Sequence, residues 1–250
     1  MTNVMERVQK HYDRAIERFG DDAVLGVFLY GSWNYNTNTP DSDVDTKCIL
    51  VPNIYHLAIK PYEVEHLYIY AGEEKDFEVC ECMSIMHMTE NWKKQNINFL
   101  EIMFTDYCIV NPLYKDIWAE LMDSESKERI ARYDLRKAIH SMAHQAIHTV
   151  HQNKQDPKKI MNGWRILETL KAVCDTNLPY KECIWMDESI RARRFIEPEV
   201  RDVQALLGQL VWWLEDVDKY AEMGSFKPGV DRHLEEVILK LIQYRVENLF

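Results

Sequence analysis

Apolar residues recur with helical spacing at the start of the chain and again through its second half. Between residues 4 and 19 they fall three or four positions apart, and a Gly-Asp-Asp segment follows, which predicts a helix that ends at residue 19. From residue 129 onward the same spacing returns in segments separated by Asn, Pro and Gly. We predict four further helices, at 130–152, 157–175, 197–220 and 231–249.

Strand-like patterns fill the first half of the chain. An apolar run of strand length ends at a Gly-Ser pair, and a later stretch alternates polar and apolar residues. Residues 84–105 predict a pair of helices, and residues 52–62 a loop with a short helix. We predict five strands, at 24–30, 44–51, 67–71, 76–82 and 106–111.

Strands in the first half and helices in the second indicate an α+β protein. A polar segment at 123–128 interrupts the apolar pattern, so we place a domain boundary there. The first domain, 1–123, carries the strands, and the second, 124–250, is predicted to be an all-α helical bundle.

The charge of the chain is unevenly distributed. Of the 250 residues, 46% are hydrophobic, which is ample for a packed core, and the net charge is −11. Residues 1–123 contain 10 Lys and Arg against 21 Asp and Glu, whereas residues 124–250 contain 20 of each. Such a chain is not a general nucleic-acid coat protein, because that function needs many cations. The basic stretches at 127–137 and 191–194 are either solvated helix faces or contacts for an RNA end.

The sequence has no features of a membrane or exported protein. No apolar run approaches the length of a membrane span, and residues 1–19 are charged throughout, unlike a signal peptide. The six cysteines include no C-x-x-C pair, so we expect reduced thiols rather than disulfides or a zinc site. We therefore expect a soluble, cytoplasmic protein.

Two short motifs after the first strand carry the candidate chemistry. Gly31-Ser32 follows the apolar run directly, and such a turn can direct N–H groups and a hydroxyl at an anion. Asp43 and Asp45 open the second strand, where positions i and i+2 share a face. Two adjacent carboxylates repel each other unless a cation lies between them, and Mg²⁺ prefers carboxylate and phosphate oxygens. The alternative is a surface loop with acidic turn residues; the order of the motifs favours a metal site.

The same residues resemble a known family. Gly31-Ser32 followed by Asp43-x-Asp45 is similar to the signature of the DNA polymerase β nucleotidyltransferase superfamily. Segment 31–47 as a whole resembles a branch of predicted nucleotidyltransferases associated with RNA repair. This resemblance implies a mixed sheet flanked by helices, with the signature across a strand–helix–strand unit. It also implies Mg²⁺ or Mn²⁺ as the cofactor.

Around the signature, the chain departs from that branch at three positions. Asn36 stands where Gly is usual, Lys47 where Arg is usual, and Cys48 where another Gly is usual. None of these departures alters the carboxylate pair, but they affect expectations about the shape of the loop.

Nucleotidyl transfer of this type uses a third carboxylate from a neighbouring strand. Asp76 and Glu78 lie on one face of the alternating stretch, and the resemblance favours Asp76 as the third catalytic and metal-binding residue. The alternatives are Glu78, Glu81 or no third carboxylate.

A basic helix face is a second candidate for nucleotide binding. Lys158, Asn162 and Arg165 fall on one face of the predicted helix at 157–175, and they resemble the family's Lys-Lys-x-x-His-x-x-Arg helix. Lys158 and Arg165 are suited to the triphosphate and the leaving pyrophosphate. The alternative is a solvated face; Lys47, beside the metal pair, is a weaker candidate for the same role.

Other polar features predict supporting roles. Segment 95–104 resembles the family's Asn-Pro-Asn-x-x-Glu motif, and we expect Asn96 to cap a helix and Glu101 to be a buried partner. His140, His144 and His148 recur one turn apart. We expect these three to form a mixed face that packs on the catalytic domain rather than a metal or RNA phosphate site.

The sequence thus predicts a metal-dependent nucleotidyltransferase. Gly31, Ser32 and the basic residues would bind an NTP, for which we expect ATP. The resemblance to the RNA-repair branch implies an RNA end resembling tRNA as the acceptor. An enzyme that adenylylates a protein or small molecule, including an antitoxin-like protein, uses the same first domain. A non-catalytic nucleotide or RNA sensor is a further alternative. A protein partner or a homo-oligomer remains open, because residues 212–214 leave an apolar helix face.

Overall fold

The computed structural model describes residues 4–58, 64–70, 77–174, 178–218 and 230–248. Its fold is α+β, with one five-stranded sheet in the order β3-β4-β2-β1-β5. The strands are β1 Val24–Leu29, β2 Thr46–Leu50, β3 Glu65–Tyr70, β4 Phe77–Ser84 and β5 Cys108–Val110.

The sheet is mixed, because β2 and β4 run parallel while the other three pairs are antiparallel. Thr46 of β2 pairs with Cys80 of β4, and Leu29 of β1 pairs with Thr46 on the other side. The first residues of β2 and β4 therefore lie at the same end of the sheet, as parallel strands require.

Helices surround the sheet and make up most of the rest of the described chain. Short 3₁₀ turns connect several of them. The α-helices are α1 Val4–Phe19, α2 Ile54–Ala58, α3 Ile85–Lys93, α4 Ile97–Leu100, α5 Lys115–Leu121, α6 Ser124–Ala131, α7 Leu135–Gln152, α8 Pro157–Cys174, α9 Tyr180–Ile184, α10 Glu188–Ala192, α11 Val200–Glu215 and α12 Val230–Asn248.

Each face of the sheet has its own hydrophobic core. On one face, Val8 and Ala15 of α1 pack on strand residues that include Cys80 and Cys82. On the other, Phe28 and Ile49 join a larger core that continues into α7, α8, α11 and α12. One core therefore contains residues from both sides of position 123, where the sequence predicts a domain boundary, and that division stays a prediction.

Most predicted elements are present, with local differences. The helix predicted at 130–152 is interrupted, because Asp134 caps a new helix by accepting a hydrogen bond from the backbone N–H of Lys137 at 3.0 Å. The second strand begins at Thr46 rather than at residue 44. Helices α5, α6, α9 and α10 were not predicted, and α6 includes most of the polar segment at 123–128. All six cysteines are free.

The connection between β1 and β2 differs from the expected strand–helix–strand unit, since residues 31–45 form turns without a helix. Asn36 in these turns has φ 60°, a left-handed conformation that Gly and Asn adopt most readily. Its side-chain amide donates a hydrogen bond to the carbonyl of Met186 at 3.0 Å. Asn at this position therefore keeps the turn conformation and adds a contact to the helical region.

None of the helices within the described ranges is long and apolar enough to cross a bilayer.

Two glycines in helices allow a matched test of the packing between α7, α8 and α11. A Cβ added to Gly163 would lie 2.4 Å from Cγ2 of Val150 and 3.0 Å from Cδ2 of Leu206, whereas a Cβ added to Gly208 would meet no atom within 4 Å. We expect Gly163→Ala to lower the free energy of unfolding by about 1–3 kcal/mol through overpacking. Gly208→Ala should raise it by up to about 1 kcal/mol through helix propensity. Urea denaturation of both variants measures the difference, and equal effects would contradict the packing.

Candidate functional site

A cleft of about 230 Å³ lies between the turn that follows β1 and the first half of α8. Four of the five residues predicted to bind the nucleotide line it, and Asn162 and Glu101 line it as well. The four are Gly31, Ser32, Lys158 and Arg165.

Gly31 shapes the cleft through its backbone. Its φ of 91° is unfavourable for residues with a Cβ, so the turn requires glycine here. The Gly31 N–H donates a hydrogen bond to Oε2 of Glu101 at 3.0 Å, and the side-chain amide of Asn34 donates to the same oxygen at 3.3 Å. This N–H is therefore engaged inside the protein, unlike the free anion-binding N–H expected from the sequence.

Glu101 is a fully buried carboxyl group at the base of the cleft. Burial raises the pKa of Glu101 to about 7, although the Tyr35 hydroxyl, the Arg165 guanidinium and the Gly31 N–H all favour its charged form. The group is consequently poised between its charged and neutral forms near neutral pH. Its predicted role as a buried partner agrees with these contacts, and Asn96 caps α4 as predicted.

Arg165 projects from α8 into the wall of the cleft and is only 2% exposed. Its guanidinium lies 3.7 Å from the centre of the Tyr35 ring, and its Nε donates to Oδ1 of Asn162 at 2.8 Å. Its Nη1 is buried and has no hydrogen-bond partner within the part of the chain that the structure describes. A buried cation with an unused donor is suited to an anionic ligand in the cleft.

Lys158 and Lys159 lie at the solvent-exposed margin of the same cleft. Lys47, the fifth residue predicted to bind the nucleotide, has a different environment. It is buried on β2, forms an ion pair with Glu81, and lies 4.1 Å from the centre of the Tyr30 ring. Because Tyr30 lines the cleft, Lys47 lies behind the cleft wall rather than in it.

Asp43 and Asp45 lie directly before β2, at the end of the sheet where this central strand begins. Burial raises the pKa of Asp45, and the nearby Asp43 carboxylate adds to this effect. Oδ1 of Asp45 accepts a hydrogen bond from the Val79 N–H at 3.0 Å, which ties it to β4. The Asp45 carbonyl accepts from the Tyr30 N–H at 3.1 Å, so the pair adjoins the cleft-lining turn.

A buried polar network supports the two aspartates from below. Glu78, 2% exposed, accepts a hydrogen bond from the Val44 N–H at 3.1 Å and forms an ion pair with Arg7. Nε2 of His11 lies 3.1 Å from the second Glu78 oxygen. Val44 is the residue between the two aspartates, so this network positions their backbone.

Glu78 is thus engaged with α1 and with the backbone before β2, which differs from the free third carboxylate that the alternative assignment required. Glu81 is likewise paired with Lys47. Asp76, the favoured third carboxylate, lies outside the described residues.

The donor chemistry of the aspartate pair fits a hard divalent cation, since both ligands are carboxylates and one is exposed. Within the described ranges, no three His, Cys, Asp or Glu residues form a group that could hold a metal. Substrate oxygens would therefore have to complete the coordination of an ion held by Asp43 and Asp45.

The histidine row on α7 does not pack on the sheet domain. His140, His144 and His148 are exposed, and the rings of the first two are parallel at 5.9 Å between their centres. The predicted packing role is wrong, because these side chains lie on the face of α7 opposite its buried residues.

Arg7 and His11 were missed by the sequence prediction. Both lie on α1, and His11 occupies a position of its apolar face together with Val8 and Ala15. A polar residue on the buried face of an amphipathic helix is the signal that could have revealed a buried partner.

Neither models of known protein families nor curated proteins match this chain.

The pKa of Glu101 predicts a specific pH dependence of stability. The unfolded carboxyl loses its proton near its ordinary pKa of 4.5, while the folded one loses it near 7. Stability should therefore fall as the pH rises from about 4.5 to about 7, by about 3 kcal/mol from this group. Glu101→Gln stays neutral and should lack this component. Urea unfolding of both proteins at pH 5, 6, 7 and 8 measures the difference, and parallel pH profiles would contradict the prediction.

Proposed function

We propose that this protein is a metal-dependent nucleotidyltransferase that moves an NMP from an NTP, preferably ATP, to a hydroxyl of an RNA end. Pyrophosphate is the second product. The proposal joins the resemblance of segment 31–47 to polymerase β-type nucleotidyltransferases with the geometry of the cleft.

One observation carries this proposal. Residues 31–45 and the first half of α8 are more than 100 positions apart in sequence, yet Ser32, Lys158 and Arg165 line one cleft. The aspartate pair adjoins it through the hydrogen bond between Tyr30 and Asp45. A carboxylate pair beside a cationic cleft is the arrangement that transfer of a nucleotide from its triphosphate requires.

Each group has a defined role in this reaction. Arg165 and Lys158 would bind the triphosphate and neutralise the charge that develops on pyrophosphate. Ser32 would contribute a hydroxyl to the phosphates. Asp43 and Asp45 would hold Mg²⁺ or Mn²⁺, which when bound lowers the pKa of the acceptor hydroxyl and neutralises phosphate charge. Asp76 is proposed as the third carboxylate, which accepts the proton of that hydroxyl.

The bonding changes follow an in-line displacement. The acceptor oxygen forms a bond to the α-phosphorus while the bond from that phosphorus to the bridging oxygen of pyrophosphate breaks. Arg7 and Glu78 take no part in this step; they hold the backbone of Val44 so that both aspartates keep their positions.

The carboxylate pair allows a direct test. We expect Asp43→Ala/Asp45→Ala to lower transfer at least about 10³-fold, because two-metal chemistry depends on charge neutralisation worth several kcal/mol. Because Asp45→Ala also removes the acceptor of the Val79 N–H, the urea unfolding midpoint of the variant checks that the fold is kept. The assay incubates protein with α-³²P-labelled NTP, Mg²⁺ or Mn²⁺ and total RNA. Asp13→Ala/Glu17→Ala, on exposed positions of α1, is the control. Full transfer by the first variant would refute the proposal.

Arg165 allows a test of nucleotide binding that does not depend on catalysis. Arg165→Lys keeps the charge but loses the planar pair of donors, so we expect ATP affinity to fall about 10- to 100-fold. Calorimetric titration with ATP and Mg²⁺ measures it, and the urea unfolding midpoint checks the fold. Lys171→Gln, near the opposite end of α8 and paired with Glu168, should bind ATP normally. Unchanged affinity of Arg165→Lys would place the nucleotide elsewhere.

A further inference from the structure

The outer surface of the α7–α8 hairpin is cationic in an otherwise acidic protein. Residues 135–165 contain six Lys and Arg, four His and a single acidic residue, Asp156, against a net charge of −11 for the chain. The exposed residues between 135 and 174, a range that the structure describes in full, are all Lys, Arg, His or Gln. Asp156 caps α8 by accepting the N–H groups of Lys158 and Lys159 at 2.9 and 3.2 Å.

The Lys and Arg side chains of this hairpin differ in their ion pairs, depending on how far they lie from the cleft. At the start of α7, Arg136 forms an ion pair with Asp218 and Lys137 with Asp134. At the other end, Lys154, Lys158 and Lys159 form no ion pair with any described residue. Uncompensated cations therefore collect where α7 turns into α8.

This cationic surface is continuous with the cleft. Gln145 of α7 lines the cleft together with Lys158 and Lys159. His148 lies one helical turn beyond Gln145, and His151 and Lys154 line a common depression at the corner between the helices. The exposed row from His144 to Lys154 thus leads away from the cleft across the corner; we call it the corner track.

We propose that the corner track, formed by His144, His148, His151 and Lys154, binds the phosphodiester backbone of a single-stranded RNA whose terminal hydroxyl enters the cleft. This inference rests on the proposed function, because it assigns the acceptor to a surface beside the same site. The Lys154 ammonium and the N–H groups of the imidazoles form a row of hydrogen-bond donors suited to successive phosphates.

The chemistry of the track favours RNA over a protein acceptor. Protein interfaces bury an apolar or aromatic centre, and no large hydrophobic side chain is exposed between residues 135 and 174. No Phe, Tyr or Trp side chain is exposed in this range, so recognition rests on phosphate contacts and binding should depend little on base sequence.

The test measures binding of a fluorescein-labelled oligoribonucleotide to the full chain by anisotropy at pH 6.5, with ATP replaced by buffer. We expect His144→Gln/His148→Gln/His151→Gln/Lys154→Gln to weaken binding at least about 10-fold. In a plot of the logarithm of the RNA-binding constant against the logarithm of the salt concentration, the steepness of the slope should decrease by about 0.7 for each phosphate contact removed. Arg14→Gln/Arg232→Gln, which removes two exposed cations on other helices, should bind normally.

Failure of this inference and failure of the proposed function give different results. RNA binding that the track variant weakens, without transfer from any NTP, would support the track and refute the transferase. Transfer whose labelled product is destroyed by protease and not by ribonuclease would support the transferase and overturn the track. Equal RNA binding by wild type and track variant, or no RNA binding by either, would also overturn it.

Discussion

The buried carboxylate of Glu101 connects the parts of the chain that form the cleft. It accepts the Gly31 N–H at 3.0 Å and lies close enough to Tyr35 and Arg165 for both to favour its charged form. Because a buried carboxylate without such partners is costly, the glycine turn and α8 must occupy their places together. The contacts of Glu101 therefore hold the two walls of the cleft, the glycine turn and α8, in place.

Glu78 has the corresponding role beneath the aspartate pair. It accepts the Val44 N–H and is neutralised by Arg7, with His11 at its second oxygen. Both buried glutamates thus hold backbone N–H groups inside the protein. The groups left for a ligand are the exposed or unpaired ones, which include the Asp43 carboxylate and Nη1 of Arg165. This division separates residues that shape the site from residues that can contact a substrate.

The distribution of charge complements this arrangement. The half of the sequence that carries the aspartates holds the net negative charge of the chain, whereas the α7–α8 hairpin exposes only cationic, imidazole and amide side chains. The two surfaces meet at the cleft. In the function that we propose, an anionic substrate would therefore approach from the hairpin and reach the carboxylates only where a cation can compensate them.

The sequence by itself determined the elements with strong local patterns. The helix at Val4–Phe19 is as predicted, and the strand ends agree to within two residues, because apolar periodicity reflects which side of an element is buried. It also indicated that Lys158, Asn162 and Arg165 share a face, since helical spacing is a local property.

Only the tertiary structure decided which side chains pack against each face of a helix or strand. Strand alternation left Glu78 as an alternative third carboxylate, and its position beside the metal pair made Lys47 a weaker candidate for nucleotide binding. Alternation within a strand cannot show that α1 brings Arg7 to Glu78 or that β4 brings Glu81 to Lys47. Those partners are 71 and 34 positions away in the sequence.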